Sequence, residues 1–540
     1  MDPMNPHHAK ASIVVIGYDD AAHVADAVRS ALAQGTAVRE VIAVDDHSTD
    51  GSAALLDALA AEEPRLTVIH RPANSGGCGS PRNDGIDATT APYVMFLDSD
   101  DVLPPGAVDA LLGAAEEHGV PVTAGLCVRR ELPSGRATPW ERALYARRAL
   151  IPHPSRRLRL AHDTLCVNKL YRADFLREHG IRFPEGRYPY EDFVFTARVL
   201  AAAPRIALIP DTVYVWNVRR AADHLSISLD RADIGNWRAR TEANRAAYEI
   251  LLSAGEKELA RAVHTKFLDH ELRMYTRELE LRAPEYRRAW WDLTRAYLAT
   301  FDATDFTVNQ AAPGRLVARV LLASPAPRDL PRLRELAARP ARLLPPYTRA
   351  SDGTPVWSSD LPQVTLDHVL HRPAHLLPAA VDAELRPRVR GTLLRLRLHE
   401  LYGRVAEAGP TSVDVEFIHR DDGRVGLRGT APLLADRHGD TWSAEAPVEL
   451  SVLGAGTWDL RLTVRFRDGA CREVTAHARG GPGLLRRRAI PDVHHGVLGV
   501  PGVLLVQPYR THAGALALRT ASGWRGMTEV VYRRLGRLLH

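Results

Sequence analysis

Between residues 11 and 225, short apolar runs alternate with stretches whose apolar residues recur at helical spacing. SIVVIG (12–17), VREVIAVDD (38–46), RLTVIH (65–70) and YVMFLD (93–98) read as strands, with AAHVADAVRSALAQ (21–34) and SAALLDALAAEE (52–63) as helices among them. This alternation demands parallel βαβ units and an open α/β sheet, whose ligands sit beyond the carboxyl ends of the strands. Two strands end there in acid: Asp45 and Asp46 after the second, Asp98, Asp100 and Asp101 after the fourth. Clustered carboxylates repel one another unless protons or a cation neutralise them. A purely oxygen ligand set suits Mg2+ or Mn2+, completed by water and substrate phosphate. The strand-end charge therefore points to a divalent cation carrying a diphosphate. Capping of the next helix is the competing account, and for Asp101 both stay open.

Between these strands, RPANSGGCGSPRNDGIDATTAPY (71–93) holds a Gly-rich bend followed by Arg82 and Asn83, a composition suited to close approach and hydrogen bonding to a phosphate. It is also a common surface-loop composition. A dinucleotide fold would open its first helix with GxGxxG; GYDDAAHV stands there instead and argues against an NAD enzyme. Further on, YPYEDFVF places Glu191 and Asp192 at the start of the helical FVFTARVLAAA. Acids in a first turn suit the helix dipole, and a carboxylate there equally suits proton abstraction from a hydroxyl.

VVIGYDDAAHVADAVRSALAQ, VIAVDDHSTDGS, NSGGCGSPRNDGIDATTAPYVMFLDSDD and NKLYRADFLREHGIRFPEGRYPYEDFVF stand in the order found in inverting GT-A glycosyltransferases of family 2, a resemblance covering about 11–228. It implies a Rossmann-like open mixed sheet and a nucleotide-sugar donor, usually a UDP-sugar. On this resemblance Gly17, Tyr18, Asp45, Asp46 and Asn74 belong to the nucleotide site, the two aspartates holding uracil and ribose, with Arg82 near the diphosphate. Asp98 and Asp100 form the DxD motif, Asp98 toward ribose or metal and Asp100 on the Mn2+ or Mg2+. Asp192 takes the role of base and Glu191 holds the site beside it. VYVWNVRRAADHLSISL (213–229) matches the segment closing over the diphosphate. There His224 either completes the metal shell or is structural, and Arg219 and Arg220 lie near phosphate. Two departures bear on the rim of the base pocket: Gly17 where the family usually has Pro, and Asp19 where it usually has Asn.

The acceptor side falls on ARRALIPHPSRRLRLAHD (146–163), where Arg156, Arg157, Arg159, His162 and Asp163 are candidates for a phosphate-bearing acceptor. A solvated basic loop is the alternative. Residues 229–349 read as helical, ending in the Pro-rich linker RPARLLPPY (339–347). From 350 the apolar period becomes two, with Asp422-Gly423 and Asp468-Gly469 turns, which predicts a β-sandwich over 350–482; a β-rich segment with a terminal helix then occupies 483–540, and 1–10 is a disordered tail. RGTLLRLRLHELYG puts Leu394, Leu396 and Leu398 on one face and Arg395, Arg397 and His399 on the other, to meet a polyanion or water. A family 2 GT-A domain followed by helices and β-sandwich modules is similar in layout to Gram-positive wall teichoic acid glycosyltransferases. The layout implies a polyol-phosphate or other glycan polymer acceptor and self-association through the C-terminal half.

The net charge of +5 does not favour a duplex nucleic-acid binder, and four scattered cysteines indicate neither a disulfide framework nor a zinc site. No run reaches the roughly 18 apolar residues of a membrane span, so the chain reads as cytoplasmic, with the basic TEVVYRRLGRLLH either docked on the fold or touching the inner membrane surface. The reading is thus a metal-dependent inverting glycosyltransferase acting on a phosphate-rich polymer. A lipid-linked sugar or exopolysaccharide acceptor is the enzymatic alternative; a non-catalytic polymer-binding protein with a degenerate domain is the alternative of another class.

Overall fold

β-Branched and aliphatic residues at consecutive positions make strands that are buried on both faces, and the first two hundred residues use them in that way. The computed structural model describes residues 10–132, 134–202, 205–219, 231–388, 391–479, 488–497, 500–511 and 514–522. They divide into two units, one running to Phe267 with Thr300–Asp305, the other comprising Leu268–Ala299 and Phe306 onward.

The first unit opens with β1 (Ala11–Gly17), α1 (Val24–Leu32), β2 (Val38–Asp45), α2 (Ser52–Glu62), β3 (Leu66–His70), α3 (Gly79–Ala88), β4 (Tyr93–Asp98) and α4 (Ala107–His118). It continues with β5 (Val122–Leu132), β6 (Arg136–Pro139), β7 (Ala149–Ile151), β8 (Lys169–Arg172), α5 (Ala173–Glu178), α6 (Glu191–Ala202), β9 (Ile206–Arg219), α7 (Ile234–Ser253) and α8 (Lys257–Lys266). The sheet order is β3-β2-β1-β4-β8-β5-β9-β7, with β6 hairpinned onto β5. β1, β2, β3 and β4 are mutually parallel, as the alternation predicts, while β8 runs antiparallel to both β4 and β5. The result is the open mixed sheet expected of a GT-A fold. Register sets Gly17 opposite Asp45 and Ile16 opposite Asp98, so three strand ends meet at one edge.

Close packing of α3 onto β1 brings that edge together. A Cβ at Gly85 would lie 2.2 Å from Val14 Cγ1, and one at Gly79 would lie 2.0 Å from the Pro184 carbonyl oxygen. Further along the unit, α7 packs with α6 and α8 with α7. Tyr190, Phe193 and Ala243 form a small buried cluster, and His264 of α8 is stacked between Tyr248 (3.9 Å) and Phe301 (3.7 Å) with its Nδ1 2.8 Å from Asp305 Oδ2. These two helices therefore belong with the sheet, although their sequence groups them with the helical stretch that follows.

The second unit contains the helices Leu272–Leu279, Pro284–Leu298, Pro313–Ala323 and Leu330–Ala337 and a largely antiparallel sheet of eleven strands among the described residues. The period-two pattern holds: Val413, Val415 and Phe417 on one strand and Trp458, Leu460, Leu462, Val464 and Phe466 on another are buried. Asp422-Gly423 and Asp468-Gly469 join the antiparallel pairs Pro410–His419/Val425–Pro432 and Gly456–Phe466/Cys471–Ala478. One pair, Val381–Pro387 with Cys471–Ala478, is parallel. The Pro-rich 339–347 is packed, not a free linker: buried Arg342 is bonded to Glu335 and donates to the Thr475 carbonyl at 2.7 Å. Nor is the outer face of Thr392–His399 a free basic row, because Arg395 donates to Glu445 at 2.6 Å and His399 Nε2 lies 3.0 Å from Asp382. No helix among the described residues is long and apolar enough to cross a membrane.

Gly85→Ala is expected to lower unfolding free energy by about 1–3 kcal/mol through overpacking against Val14. Pairing it with Val14→Ala should recover part of that loss. Denaturant midpoints of both variants check this.

Candidate active site at the ends of the central strands

The acids at the end of β4 serve different purposes. Asp98 accepts from Arg82 Nη2 at 2.6 Å. Asp100 keeps a solvent-facing edge, and its carboxyl is pushed up to about 6, first by desolvation and then by the charges of Asp98 and Asp20, with Arg219 pulling the other way. Arg219 Nη1 lies 3.6 Å from Asp100 Oδ2 and donates to the Asp100 carbonyl at 2.8 Å. Asp101 turns inward. It accepts from the Tyr214 hydroxyl and the Asn217 amide, both at 2.7 Å, and burial with its two acidic neighbours raises its proton affinity well above the ordinary. It is thus neither a metal ligand nor a helix cap; it fastens β9 to the end of β4.

Arg82, on α3, is buried and bridges two elements. One terminal nitrogen reaches Asp98, the other Glu191 at the start of α6, and Nε has no hydrogen-bond acceptor among the described residues. Its face lies 5.3 Å from the Phe183 ring centroid. Where the sequence placed it beside a diphosphate, the structure holds the guanidinium between two carboxylates. The Gly-rich bend likewise closes on protein: Gly77 and Gly79 lie against the Pro184–Tyr188 segment, too close for a Cβ. Asn83 is buried, donating to the Phe183 carbonyl and Glu185 at 3.0 Å and accepting from the Phe183 amide at 2.9 Å. Loop 71–80 thereby joins the segment leading into Glu191 and Asp192.

Asp192 is the carboxylate next to this bridge. Withdrawal from water pushes its carboxyl up to about 7, and Glu191 adds to the rise while Lys266, Arg82 and Arg240 oppose it. That value leaves it able both to accept a proton and to give it up near neutrality. Tyr190, immediately before the helix, has φ +68, a left-handed conformation that costs energy in a bulky residue and sets where α6 begins.

At the end of β2, Asp45 accepts weakly from the Ser48 amide (3.3 Å) and lies 3.5 Å from His70 Nδ1. Asp46 accepts from the amide and hydroxyl of Ser75 (3.1 and 2.8 Å) and from Asn74 Nδ2 (3.2 Å), so it ties loop 71–75 to the strand. A Cβ at Gly17 would meet Ser99 Cβ tightly at 3.1 Å, while Tyr18 is half exposed at the mouth. Asp19 accepts from the Thr49 amide at 2.6 Å.

Of the acceptor candidates, Arg156, Arg157 and Arg159 are exposed on the short turns Pro154–Arg156 and Leu158–His162, with Arg159 paired to Glu141 at 2.7 Å. His162 is partly buried. Asp163 is fully buried, accepting from Trp140 (3.0 Å), Tyr145 (2.5 Å) and Lys169 (2.7 Å), and so presents nothing to an acceptor. Arg220 and His224 lie outside the described residues. Asp20, Tyr214, Asn217, Arg240 and Lys266 complete the surroundings and were not singled out by sequence. Asp20 accepts from Ser99 Oγ at 2.7 Å, and GYDD gave a signal for it; the others lie up to 170 residues away in strand and helix patterns with no motif of their own.

A hard divalent cation fits this donor set. Asp98 Oδ1 is taken by Arg82, Asp100 faces solvent, and the mutual repulsion of Asp98, Asp100 and Asp20 is what a cation would relieve. Among the described residues no group of three or more His, Cys, Asp and Glu is placed to hold a metal ion by itself, so a cation there would need water and substrate oxygens as its other ligands.

Residues 12–180 match the family model Glycosyl transferase family 2. In sequence it is similar to the poly(ribitol-phosphate) beta-glucosyltransferase of Bacillus spizizenii, at 31% identity over 35% of this chain and 29% of that protein. It is also similar to the poly(ribitol-phosphate) beta-N-acetylglucosaminyltransferase TarS of Staphylococcus aureus, at 28% identity over 40% of this chain and 37% of that protein. The matched stretches thus span about a third of these curated relatives. The fold is like that of the crystal structure of S. aureus TarS, with a TM-score of 0.51 at 18% identity over 95% of this chain and 85% of that one.

Arg82→Met leaves Asp98 and Glu191 without their shared cation and is expected to cost about 3–5 kcal/mol of stability, read as a lower denaturant midpoint. Arg82→Lys should restore only part, because a point charge cannot serve two carboxylates through a planar fork.

Proposed function

We propose that this chain is a metal-dependent inverting glycosyltransferase moving a sugar from a nucleotide-sugar, most naturally a UDP-sugar, to a hydroxyl of a polyol-phosphate polymer. The observation that carries the reading is the placement of Asp192 beside a strut, Arg82–Glu191, whose other end holds Asp98 of the strand-end acid pair. Donor and base thereby share one rigid frame. The acceptor is supported by the two poly(ribitol-phosphate) glycosyltransferases among the relatives and by the exposed Arg156, Arg157 and Arg159, which suit phosphate.

In this mechanism the nucleoside rests over the ends of β1 and β2, with Tyr18 at the mouth and Asp45 below. Asp98 and Asp100 would hold Mg2+ or Mn2+, which would neutralise charge on the leaving diphosphate. Arg219, anchored to Asp100, stands ready as a second cation at the same oxygens. Asp192 accepts the proton of the acceptor hydroxyl as its oxygen bonds to the anomeric carbon and the diphosphate departs from the opposite face, so configuration inverts. Glu191, neutralised by Arg82, fixes the first turn of α6 and with it the reach of Asp192. The sheet-rich second unit is the candidate for polymer contact and self-association, and the enzyme would work in the cytoplasm or at the inner face of the membrane.

Asp192→Asn is expected to lower transfer by about 10²–10⁴-fold while UDP affinity with Mn2+ stays unchanged. Asp100→Ala should instead lose the metal-dependent part of UDP binding. Calorimetry with and without Mn2+, together with sugar transfer to poly(ribitol-phosphate) and the anomeric configuration of the product, tests all three assignments. Wild-type turnover in the Asp192 variant would remove it as base, and a retained anomeric configuration would overturn inversion.

A further inference from the structure

The cations opposite Asp192 come from outside the stretch that matches the family. Arg240 of α7 lies with Cζ 4.1 Å from the Tyr190 ring centroid and 5.5 Å from that of Phe193. Lys266 of α8 has Nζ 3.9 Å from the Phe193 centroid and 3.4 Å from Thr164 Oγ1. Tyr190 and Phe193 bracket Glu191 and Asp192, so both cations sit on the rings that frame the carboxylate. Tyr190 is itself tied to α7, its hydroxyl donating to Asn236 Oδ1 at 2.7 Å.

Both side chains are more than nine-tenths buried. A buried ammonium or guanidinium is expensive unless an anion answers it, and aromatic faces offset only part of that cost. Of the acids at this place, Glu191 and Asp98 already share Arg82. Asp192 remains. The groups facing it are Glu191 on its own helix, Arg82 of α3, Cys166 and Tyr171 around β8, Arg240 of α7 and Lys266 of α8. Burial keeps the Cys166 thiol and the Tyr171 phenol neutral. Desolvation and Glu191 therefore favour the protonated carboxyl, and the three cations favour the ionised one.

We propose that Lys266 and Arg240 are positioning residues that keep the Asp192 carboxylate ionised and seated for proton acceptance, so that α7 and α8 complete the active site. The proposal rests on the reading of Asp192 as base. It assigns a role in the reaction to two helices beyond the family match, which ends at residue 180.

The test uses the full-length chain with Lys266→Met, Arg240→Met and Lys266→Arg. Removing one cation should move the acid limb of the kcat/KM–pH profile upward by about one unit, with donor Kd unchanged and the rate recovered at higher pH. Lys266→Arg should return the limb toward wild type. Independently of turnover, infrared titration of 13C-aspartate-labelled protein, with the band assigned through Asp192→Asn, should show the same upward displacement. Should one methionine variant fail to fold, the other and the Arg replacement carry the same readouts. A reduced kcat with an unmoved acid limb and an unmoved infrared titration overturns the proposal and leaves the residues structural. If wild type transfers no sugar from any donor while the infrared titration still moves, the electrostatic link stands but the reading of Asp192 as base falls, and the proposed role falls with it.

Discussion

One guanidinium holds the centre of this molecule. Arg82 is carried by α3, which is pressed onto β1 so closely that Gly85 can be nothing larger, and from there it spans to Asp98 at the end of β4 and to Glu191 at the start of α6. A buried charge is tolerated only when it is paired, and here a single cation answers two anions, fixing the distance between them. The strand-end acids and the first turn of α6 cannot then drift independently. Proximity of reacting groups is a large part of what an enzyme supplies, and on the proposed reading it would be set here before any substrate arrives.

A second tie works beside the first. Asp101 grips Tyr214 and Asn217, and Asn217 in turn donates to the Asp100 carbonyl at 2.9 Å. β9 is thereby held to the end of β4, and Arg219 at its terminus reaches Asp100. Three successive strand-end acids thus divide the labour: Asp98 to the strut, Asp100 toward solvent, Asp101 into the sheet. Their shared repulsion is relieved differently in each case, by an arginine, by an open edge and by the hydrogen bonds of Tyr214 and Asn217.

How far the sequence was readable follows from range. The strands Ala11–Gly17, Val38–Asp45 and Tyr93–Asp98 declare themselves because their apolar runs are continuous, and a strand that ends in acid carries its meaning locally. Lys169–Arg172 has only four residues and runs against its neighbours, so no periodicity announces it. Arg82 was singled out by its loop but the two carboxylates it bridges were not, because a sequence shows a cation without showing which anion folding brings to it. Asp163 was misread for the same reason: its Arg-rich neighbours are exposed, while it closes a buried network with Tyr145 and Lys169. Arg240 and Lys266 belong to helices whose pattern is ordinary, and only packing against Tyr190 and Phe193 gives them significance.

The first unit closes at Phe267, 48 residues after the last strand of its sheet, with Thr300–Asp305 returning to clasp His264. This has an evolutionary consequence. A family 2 domain cut at the end of its sheet and grafted onto another C-terminal module would leave behind the helices that cover α6, along with the apolar surface of Tyr190 and Phe193. Exchange of the C-terminal half among chains of this layout is therefore constrained to carry a helical collar with the sheet. The natural seam for recombination lies inside the helical stretch, where composition gives no hint of it.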